Sequence, residues 1–200
     1  MAEAGSNTEV LTLKPVKASA ESLKGYGSLI GEPDDSVLEK VDFYGADVKV
    51  TQPADFHGND DLCLNLVSFN PRQLHVKWME YHTKHTQTFI PLSGKPFYMV
   101  LGKPTARRAD GSWDSSKANL PELDSIQAFE FDGTGGLVMD VGTWHEVPFP
   151  IAGPTHFVCI CTKETNENLE QGDEKGECEG GDLSKRHIES HFGITLQIER

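Results

Sequence analysis

The sequence predicts an all-β fold, an antiparallel sandwich or barrel with little helix. Short segments in which apolar and polar residues alternate recur along the chain, as expected of strands that bury one face. The 200 residues include 19 glycines and 11 prolines, which mark frequent turns between those segments. Amphipathic helical patterns are rare. Many short strands with glycine-rich turns are typical of β-sandwiches and barrels.

The composition narrows the classes of function. A formal net charge of −13 disfavours nucleic acid or an anionic membrane surface as a partner, because both require a basic surface. No apolar run reaches the roughly 18 residues of a membrane span, and the first residues lack a signal-peptide pattern. The 4 cysteines form no CxxC pair and are expected to be reduced thiols. We therefore expect a cytoplasmic protein whose partner is a small molecule.

The main domain is predicted to cover residues 10–163. Residues 1–9 are polar and are expected to be disordered. A strand pattern begins at Val10 and ends at Pro15, since proline cannot continue a ladder of hydrogen bonds. A short helical turn capped by Ser19 follows. A turn is predicted at 32–35, and further strands at 47–51, 62–69, 76–82, 87–93, 97–101, 126–131, 137–140 and 155–162.

Two segments lack strand patterns. Residues 102–121, rich in glycine, proline, serine and charge, are predicted to form a long surface loop. Its Arg107 and Arg108 are expected to be solvated, with a role in a substrate lid as the alternative. Residues 164–183 carry many acidic residues and glycines and are predicted to be a linker or loop. The remaining residues, 184–200, are predicted to form an appendage with a short helix at 184–191 and a strand at 194–198.

Polar groups on two successive strands form the candidate site. Alternation from Trp78 places Glu80 and His82 on one face of a strand. A turn follows, in which His85 is expected to face solvent, and the next strand begins at Gln87. Because charged groups inside a β layer are costly unless they are paired or bind something, this pattern favours a functional site. A buried Glu80–His82 pair without a function is the alternative.

The spacing of these residues resembles a known superfamily. The pattern Glu80-x-His82-x4-Gln87-x6-Gly94 is similar to the first motif of the cupin superfamily, with Glu80 and Gln87 in place of a histidine and a glutamate. The second motif is matched by Asp140-x-Gly142-x2-His145, with Asp140 in place of a proline. The resemblance implies a cupin-type β-sandwich whose metal-ligand positions are Glu80, His82, Gln87 and His145.

A narrower resemblance covers residues 10–165. The run Phe89-Ile90-Pro91-Leu92, the segment Pro121–Phe129 and the pair Trp144-His145 are similar to the ureidoglycolate lyase family. This resemblance implies a dimeric enzyme of purine (allantoin) catabolism that splits ureidoglycolate into glyoxylate and urea. It also implies that Glu80, His82, Gln87 and His145 line the pocket. Where the family often has Tyr-His-Arg, this chain has Met139-Asp140-Val141, so a related small hydroxy acid is an alternative substrate.

The residues permit several chemistries. Cleavage of a carbinolamine requires a base for the hydroxyl proton and an acid for the departing nitrogen. We expect His82 or His145 to be the base and Glu80 to hold or exchange the proton at nitrogen. Gln87, Trp144 and Asp140 are expected to contact the substrate. A divalent ion (nickel, manganese, zinc or iron) held by Glu80, His82, Gln87 and His145 is an open alternative. So are a metal-dependent isomerase, epimerase or oxygenase, and a non-catalytic binding protein.

Overall fold

The computed structural model describes residues 8–31, 38–39, 48, 50–58, 61–114 and 116–200. The disorder predicted for residues 1–9 is wrong at Glu9, which begins a strand, while residues 1–7 lie outside the described residues. The predicted turn at 32–35 also lies outside them, as do Asp47 and Lys49 of a predicted strand. The strands are β1 (Glu9–Leu13), β2 (Val16–Lys17), β3 (Gly27–Ile30), β4 (Leu38–Glu39), β5 (Val50–Thr51), β6 (Leu62–Phe69), β7 (His75–Val76), β8 (Trp78–His82), β9 (Gln87–Pro91), β10 (Phe97–Gly102), β11 (Gln127–Phe131), β12 (Gly136–Met139), β13 (Trp144–Pro150), β14 (Thr155–Thr162), β15 (Leu183–His187) and β16 (Ile194–Ile198).

Two large sheets build the sandwich. The six-stranded sheet has the order β15-β8-β13-β10-β11-β2, and the five-stranded sheet has the order β3-β12-β9-β14-β6. A three-stranded sheet has the order β1-β16-β7, and β4 pairs with β5. Neighbours are antiparallel except β1–β16 and β2–β11, which are parallel. The prediction of an all-β sandwich with little helix is confirmed.

The main core joins the two large sheets. Phe97, Met99 and Leu101 on β10 share one face and pack in a single cluster with Phe157 and Cys159 on β14. The rings of Phe97 and Phe157 are 4.9 Å apart, edge to face. Each buried side chain of this size contributes about 1.5–3 kcal/mol by leaving water. This core holds the two sheets in register, and therefore also the polar residues at the ends of their strands.

A second core covers the other face of the six-stranded sheet. Met79, Tyr81 and Trp144 on that face pack with Leu196 and Ile198 of β16. Apolar and polar residues alternate along β8. Met79 and Tyr81 therefore enter this second core, while Glu80 and His82 lie on the opposite face, toward the main core. The C-terminal residues are therefore packed into the sandwich.

The C-terminal segment differs from the prediction. Residues 164–183 contain helix α1 (Lys163–Glu170), whose first turn is capped by the Thr162 hydroxyl. The predicted helix at 184–191 is wrong, because residues up to His187 form β15 and only Ile188–Phe192 form helix α2. Pairing of β15 with β8 decides this conformation, and an isolated sequence pattern does not report such pairing. The predicted strand at 194–198 is confirmed.

The segment after β10 has little regular structure, as predicted. Within its described part, an isolated bridge joins Arg107 to Trp113, and a 3-10 helix spans Leu123–Ser125. Trp113 packs partly buried against the second core. In the part of the chain that the structure describes, no helix is long and apolar enough to cross a membrane.

Candidate functional site

Glu80, His82 and His145 come together in the interior of the sandwich. Glu80 and His82 lie on β8, and His145 on β13 is the direct cross-strand partner of Glu80. The possible ligand atoms of the three residues lie within 4.8 Å of one another, and all three side chains are buried. The distance from His145 Nε2 to Glu80 Oε1 is 3.6 Å. Two strands are therefore sufficient to assemble a carboxylate and two imidazoles.

The turn before β13 positions His145. Gly142 has a φ of +87°, a conformation that other residues adopt only with strain. Its backbone N–H donates to the carbonyl of His82 over 2.8 Å, which ties the turn to the end of β8. A side chain at residue 142 would also collide with the Trp113 ring, 2.4 Å from an ideal Cβ position. The glycine of the second motif is therefore required by the backbone conformation and by the close approach of Trp113.

His145 presents one defined nitrogen to the site. Its Nδ1 lies 2.9 Å from the backbone carbonyl of Thr143. Because a carbonyl only accepts, Nδ1 carries the hydrogen, and the neutral ring keeps its lone pair on Nε2. Nε2 is buried and has no hydrogen-bond partner among the described residues. A lone pair held in this way suits a proton acceptor or a metal ligand.

His85 and Asp182 were not expected in the site. The prediction that His85 faces solvent is wrong: the side chain is buried, and its Nδ1 lies 2.6 Å from Asp182 Oδ2. The His85 and His82 rings are 4.5 Å apart. Asp182 precedes β15 and lies in the segment predicted to be a linker, so no local pattern pointed to it. Two histidines and two carboxylates therefore surround His82, namely His85, His145, Glu80 and Asp182. The sequence motifs indicated only Glu80 and His145.

Asp182 is a fixed anion rather than an open ligand. Its Oδ1 accepts hydrogen bonds from the backbone N–H groups of Thr83 and Lys84, at 3.1 and 2.7 Å. Its Oδ2 accepts from the hydroxyls of Thr162 and Thr165, at 3.0 and 3.1 Å. Possible ligand atoms of His82, His85 and Asp182 also lie within 4.8 Å of one another. Since both oxygens already have donors, we assign Asp182 the role of orienting His85.

Lys185 is a further residue that the motifs missed. It lies on β15 directly opposite Glu80. Its Nζ is 3.3 Å from Glu80 Oε2, and its side chain is 22% exposed. A lone lysine in an acidic and polar tail carries no recognisable signal, so pairing of β15 with β8 was required to find it.

The environment shifts the pKa values of two site residues. Burial alone would raise the pKa of Glu80, but the neighbouring His145 and Lys185 outweigh it and lower the pKa to about 2. Burial and the nearby imidazoles of His145 and His85 lower the pKa of His82 to about 3. At neutral pH, Glu80 is therefore ionised and His82 is neutral.

Three predicted substrate contacts have different positions. Trp144 is fully buried and packs against Tyr81, 4.4 Å between ring centroids, in the second core, so it does not line this site. Gln87 begins β9 in the facing sheet, and its Oε1 is buried without a hydrogen-bond partner among the described residues. Asp140 is exposed and lines a separate cavity of about 390 Å³ together with Arg107. Although the residue is exposed overall, partial desolvation of its carboxyl group raises the pKa of Asp140.

The three central residues suit a divalent transition-metal ion. Two imidazoles and one carboxylate are a common ligand set for such ions. The unpartnered nitrogens of His82 and His145, both buried, are the atoms that such an ion would satisfy. The residues present therefore fit a metal at Glu80, His82 and His145.

Comparison with known proteins identifies the family. The profile of the family described as ureidoglycolate lyase matches residues 9–179. This chain belongs to the ureidoglycolate lyase family. It is similar to proteins named ureidoglycolate lyase from Azotobacter vinelandii (23% identical over 101 residues) and Pseudomonas syringae pv. syringae (24% over 126 residues).

These alignments are partial. They cover 50% and 63% of this chain, and 53% and 65% of the two relatives, so the chain spans less than two thirds of either relative. The family match includes Glu80, His82 and His145 but ends at residue 179, before Asp182 and Lys185. The match therefore covers the centre of the site and not its C-terminal side.

Proposed function

We propose that this protein is a ureidoglycolate lyase that splits ureidoglycolate into glyoxylate and urea. The observation that carries the proposal is the buried Glu80–His82–His145 cluster inside the segment that matches the ureidoglycolate lyase family. Ureidoglycolate is a carbinolamine, and its cleavage needs a proton acceptor and a proton donor close together. The cluster supplies groups of both kinds.

His145 is the proposed acid–base residue. Its Nε2 accepts the hydroxyl proton while the O–H electrons form the C=O bond of glyoxylate and the C–N electron pair leaves on the urea nitrogen. The same ring then donates that proton to the nitrogen, so the site returns to its starting state. His82 is less suited to this role, because a pKa of about 3 makes it a weak base.

Glu80 is proposed to stabilise charge rather than to exchange a proton. Its pKa of about 2 keeps it ionised at neutral pH, 3.6 Å from His145 Nε2. An anion at that place favours the imidazolium that forms when His145 takes up the proton. Gln87, with a buried free carbonyl oxygen, is proposed to orient the N–H groups of the ureido moiety.

As an alternative arrangement, we propose that Glu80, His82 and His145 hold one divalent metal ion, with Gln87 as an additional ligand; His145 Nε2 then coordinates the ion and is not the proton acceptor. When bound, such an ion supplies Lewis-acid polarisation of oxygen ligands. The neutral form of His82 favours this arrangement, because a metal ligand must be deprotonated. Placement in purine catabolism and in the cytoplasm stays a prediction from the sequence.

A homodimer is also proposed. β6 is an edge strand of the five-stranded sheet and carries three exposed leucines on one face: Leu62, Leu64 and Leu66. Long apolar edge strands favour association unless they are covered. Sedimentation velocity of the protein and of Leu64→Lys tests this proposal. A dimer that becomes a monomer in the variant supports it, and a monomeric parent protein contradicts it.

The lyase proposal is tested by glyoxylate release from racemic ureidoglycolate, corrected for spontaneous decay. We expect turnover that falls by about 100-fold or more in His145→Ala and in Glu80→Gln. His75→Ala, in the three-stranded sheet, is the matched control and keeps full activity. Parallel assays with a chelator and with added divalent ions report the metal requirement. Absence of turnover above the spontaneous rate, with metal bound, would favour another enzyme of this fold.

A further inference from the structure

We propose that Lys185 is the cation that binds the substrate carboxylate, in a position selective for small α-hydroxy or α-oxo carboxylates. The identity of the substrate rests on the proposed function, whereas the binding position does not. The residue lies outside the segment that matches the family. It belongs to β15, the edge strand that lies next to β8 in the six-stranded sheet.

The pairing register places Lys185 in the site. Directly opposed residues in an antiparallel pair project to the same face, so Lys185 and Glu80 share the interior face of the sheet. The Nζ–Oε2 distance of 3.3 Å shows that the ammonium group reaches the Glu80 carboxylate. A substrate held between Glu80 and His145 would therefore lie within reach of the same ammonium group.

The backbone around Lys185 is held on both sides. One side pairs with β8, and on the other side the N–H of Lys185 donates to the carbonyl of Cys178 over 3.0 Å. The next residue, Arg186, projects to the opposite face and donates to the carbonyls of Cys178 and Ser116, at 2.7 and 3.0 Å. A cation on a strand fixed in this way is preorganised, which lowers the entropic cost of ligand binding.

The negative charges of the site make a cation necessary for binding an anionic substrate. The ionised Glu80 and Asp182 repel an anionic substrate. A lysine ammonium group has three hydrogen-bond donors, and Glu80 lies on one side of the Lys185 ammonium group. The partial exposure of Lys185 leaves the remaining donors open to a ligand carboxylate. We infer that β15, through Lys185, provides the positive charge that an anionic substrate requires.

The competing explanation is that Lys185 only neutralises Glu80. The two roles differ in ligand selectivity, which can be measured with glycolate and its neutral analogue glycolamide. Calorimetric binding to the full-length protein is compared with that to Lys185→Met, Lys185→Gln and Lys185→Arg. Lys77→Met is the matched control, since Lys77 Nζ and Lys185 Nζ lie at similar distances from the Trp78 ring, 5.8 and 5.7 Å.

The parent protein is expected to bind glycolate more tightly than glycolamide by about tenfold or more, as charge-assisted hydrogen bonds provide. Lys185→Met and Lys185→Gln should lose this preference, while Lys185→Arg and Lys77→Met keep it. Equal weakening of both ligands, no weakening of either, or no glycolate preference in the parent protein would overturn the inference. Thermal unfolding of each variant checks its fold. If the neutral variants do not fold, the parent protein still tests the inference, because binding of glycolate no tighter than glycolamide would overturn it.

The outcome is separable from that of the lyase assay. Carboxylate selectivity that depends on Lys185, together with absent ureidoglycolate turnover, would leave the inference standing and remove the proposed function. Ureidoglycolate turnover with an unchanged KM in Lys185→Gln would support the proposed function and overturn the inference about Lys185.

Discussion

His82 lies between two buried histidine–carboxylate pairs, His145 with Glu80 and His85 with Asp182, and this arrangement determines its protonation state. Its ring centroid is 5.3 Å from that of His145 and 4.5 Å from that of His85. Asp182 Oδ2 is 4.0 Å from its Nδ1. Burial and the two neighbouring imidazoles outweigh the carboxylates, so the pKa of His82 is lowered to about 3. A neutral imidazole at the centre of the site is the consequence at neutral pH.

This lowered pKa predicts how stability depends on pH. Because the folded state resists protonation of His82 and the unfolded state does not, the unfolded state binds more protons between about pH 3 and 6.5. In chelator-treated protein, the free energy of unfolding should fall by up to about 1.4 kcal/mol per pH unit on acidification below pH 6.5. Urea unfolding at pH 7 and pH 5 measures it. His82→Gln should reduce this slope, and an unchanged slope would contradict the assignment.

The carboxylates act in the same direction at lower pH. The pKa of Glu80 is lowered to about 2, and burial is outweighed at Asp182 by the hydrogen bond from His85, which lowers its pKa as well. Both contributions are present above the unfolded-state pKa values of about 4 and are lost as the pH falls through the folded-state values. Acid should therefore destabilise the fold in two successive ranges.

Asp182→Asn tests the orienting role of Asp182. The substitution removes the anion and leaves the donors of Thr83, Lys84 and His85 facing a neutral amide. Hydrogen bonds to charged groups contribute about 1.5–3 kcal/mol each, and we expect a decrease of at least that order in the free energy of unfolding. Asp173→Asn is the control, because Asp173 is exposed and also accepts from two backbone N–H groups. Equal effects of the two substitutions would show that burial of the pair is unimportant.

At the scale of elements, the turn between β12 and β13 connects the fold to the site. Gly142 allows Asp140–Thr143 to turn tightly, and its N–H bonds to the end of β8. β13 then delivers His145 opposite Glu80. The position of His145 therefore depends on a backbone conformation as well as on its side chain.

Gly142→Ala is expected to destabilise the protein by more than the cost of positive φ alone. That cost is about 1–2 kcal/mol for a residue with a Cβ. Gly94→Ala isolates it, because Gly94 has a φ of +63° and no atom of the described residues lies within 4 Å of its ideal Cβ position. At residue 142 the Cβ also meets Trp113, so Gly142→Ala should cost more and should also lower lyase turnover. Similar unfolding midpoints for the two variants would contradict this explanation.

At the scale of the whole molecule, the C-terminal residues stabilise the sandwich and complete the site. β15 extends the six-stranded sheet, and β16 lies between β1 and β7. Ile188, Leu196 and Ile198 fill the second core. The division into a domain at 10–163 and an appendage at 184–200 stays a prediction from the sequence.

Leu196→Ala tests the contribution of β16. The side chain is 1% exposed, and its truncation should lower the free energy of unfolding by about 2–5 kcal/mol. Val10→Ala on the neighbouring β1 is the control, since Val10 is 53% exposed and should change stability by less than about 0.5 kcal/mol. Chemical denaturation measures both. A single transition that shifts only in Leu196→Ala indicates one cooperative unit, and two separate transitions would favour an independent appendage.

The sequence by itself determined the all-β class, most of the strands and the Glu80, His82 and His145 set. These features depend on local alternation of apolar and polar residues and on fixed spacings within two motifs. Both can be recognised within a single strand or turn. It also placed the chain in its family by resemblance. Local patterns did not predict where the side chains of Trp144 and His85 are buried, because their burial depends on which neighbouring element covers them.

Only the tertiary structure decided the C-terminal side of the site. Asp182 and Lys185 lie about 100 residues from their partners His85 and Glu80 in the chain, and pairing of β15 with β8 brings them together. The helix at Lys163–Glu170 and the strand at Leu183–His187 come from an acidic, glycine-rich stretch with little local preference. Their conformation follows from hydrogen bonds and burial against the rest of the sandwich. Those interactions exist only once the chain has folded.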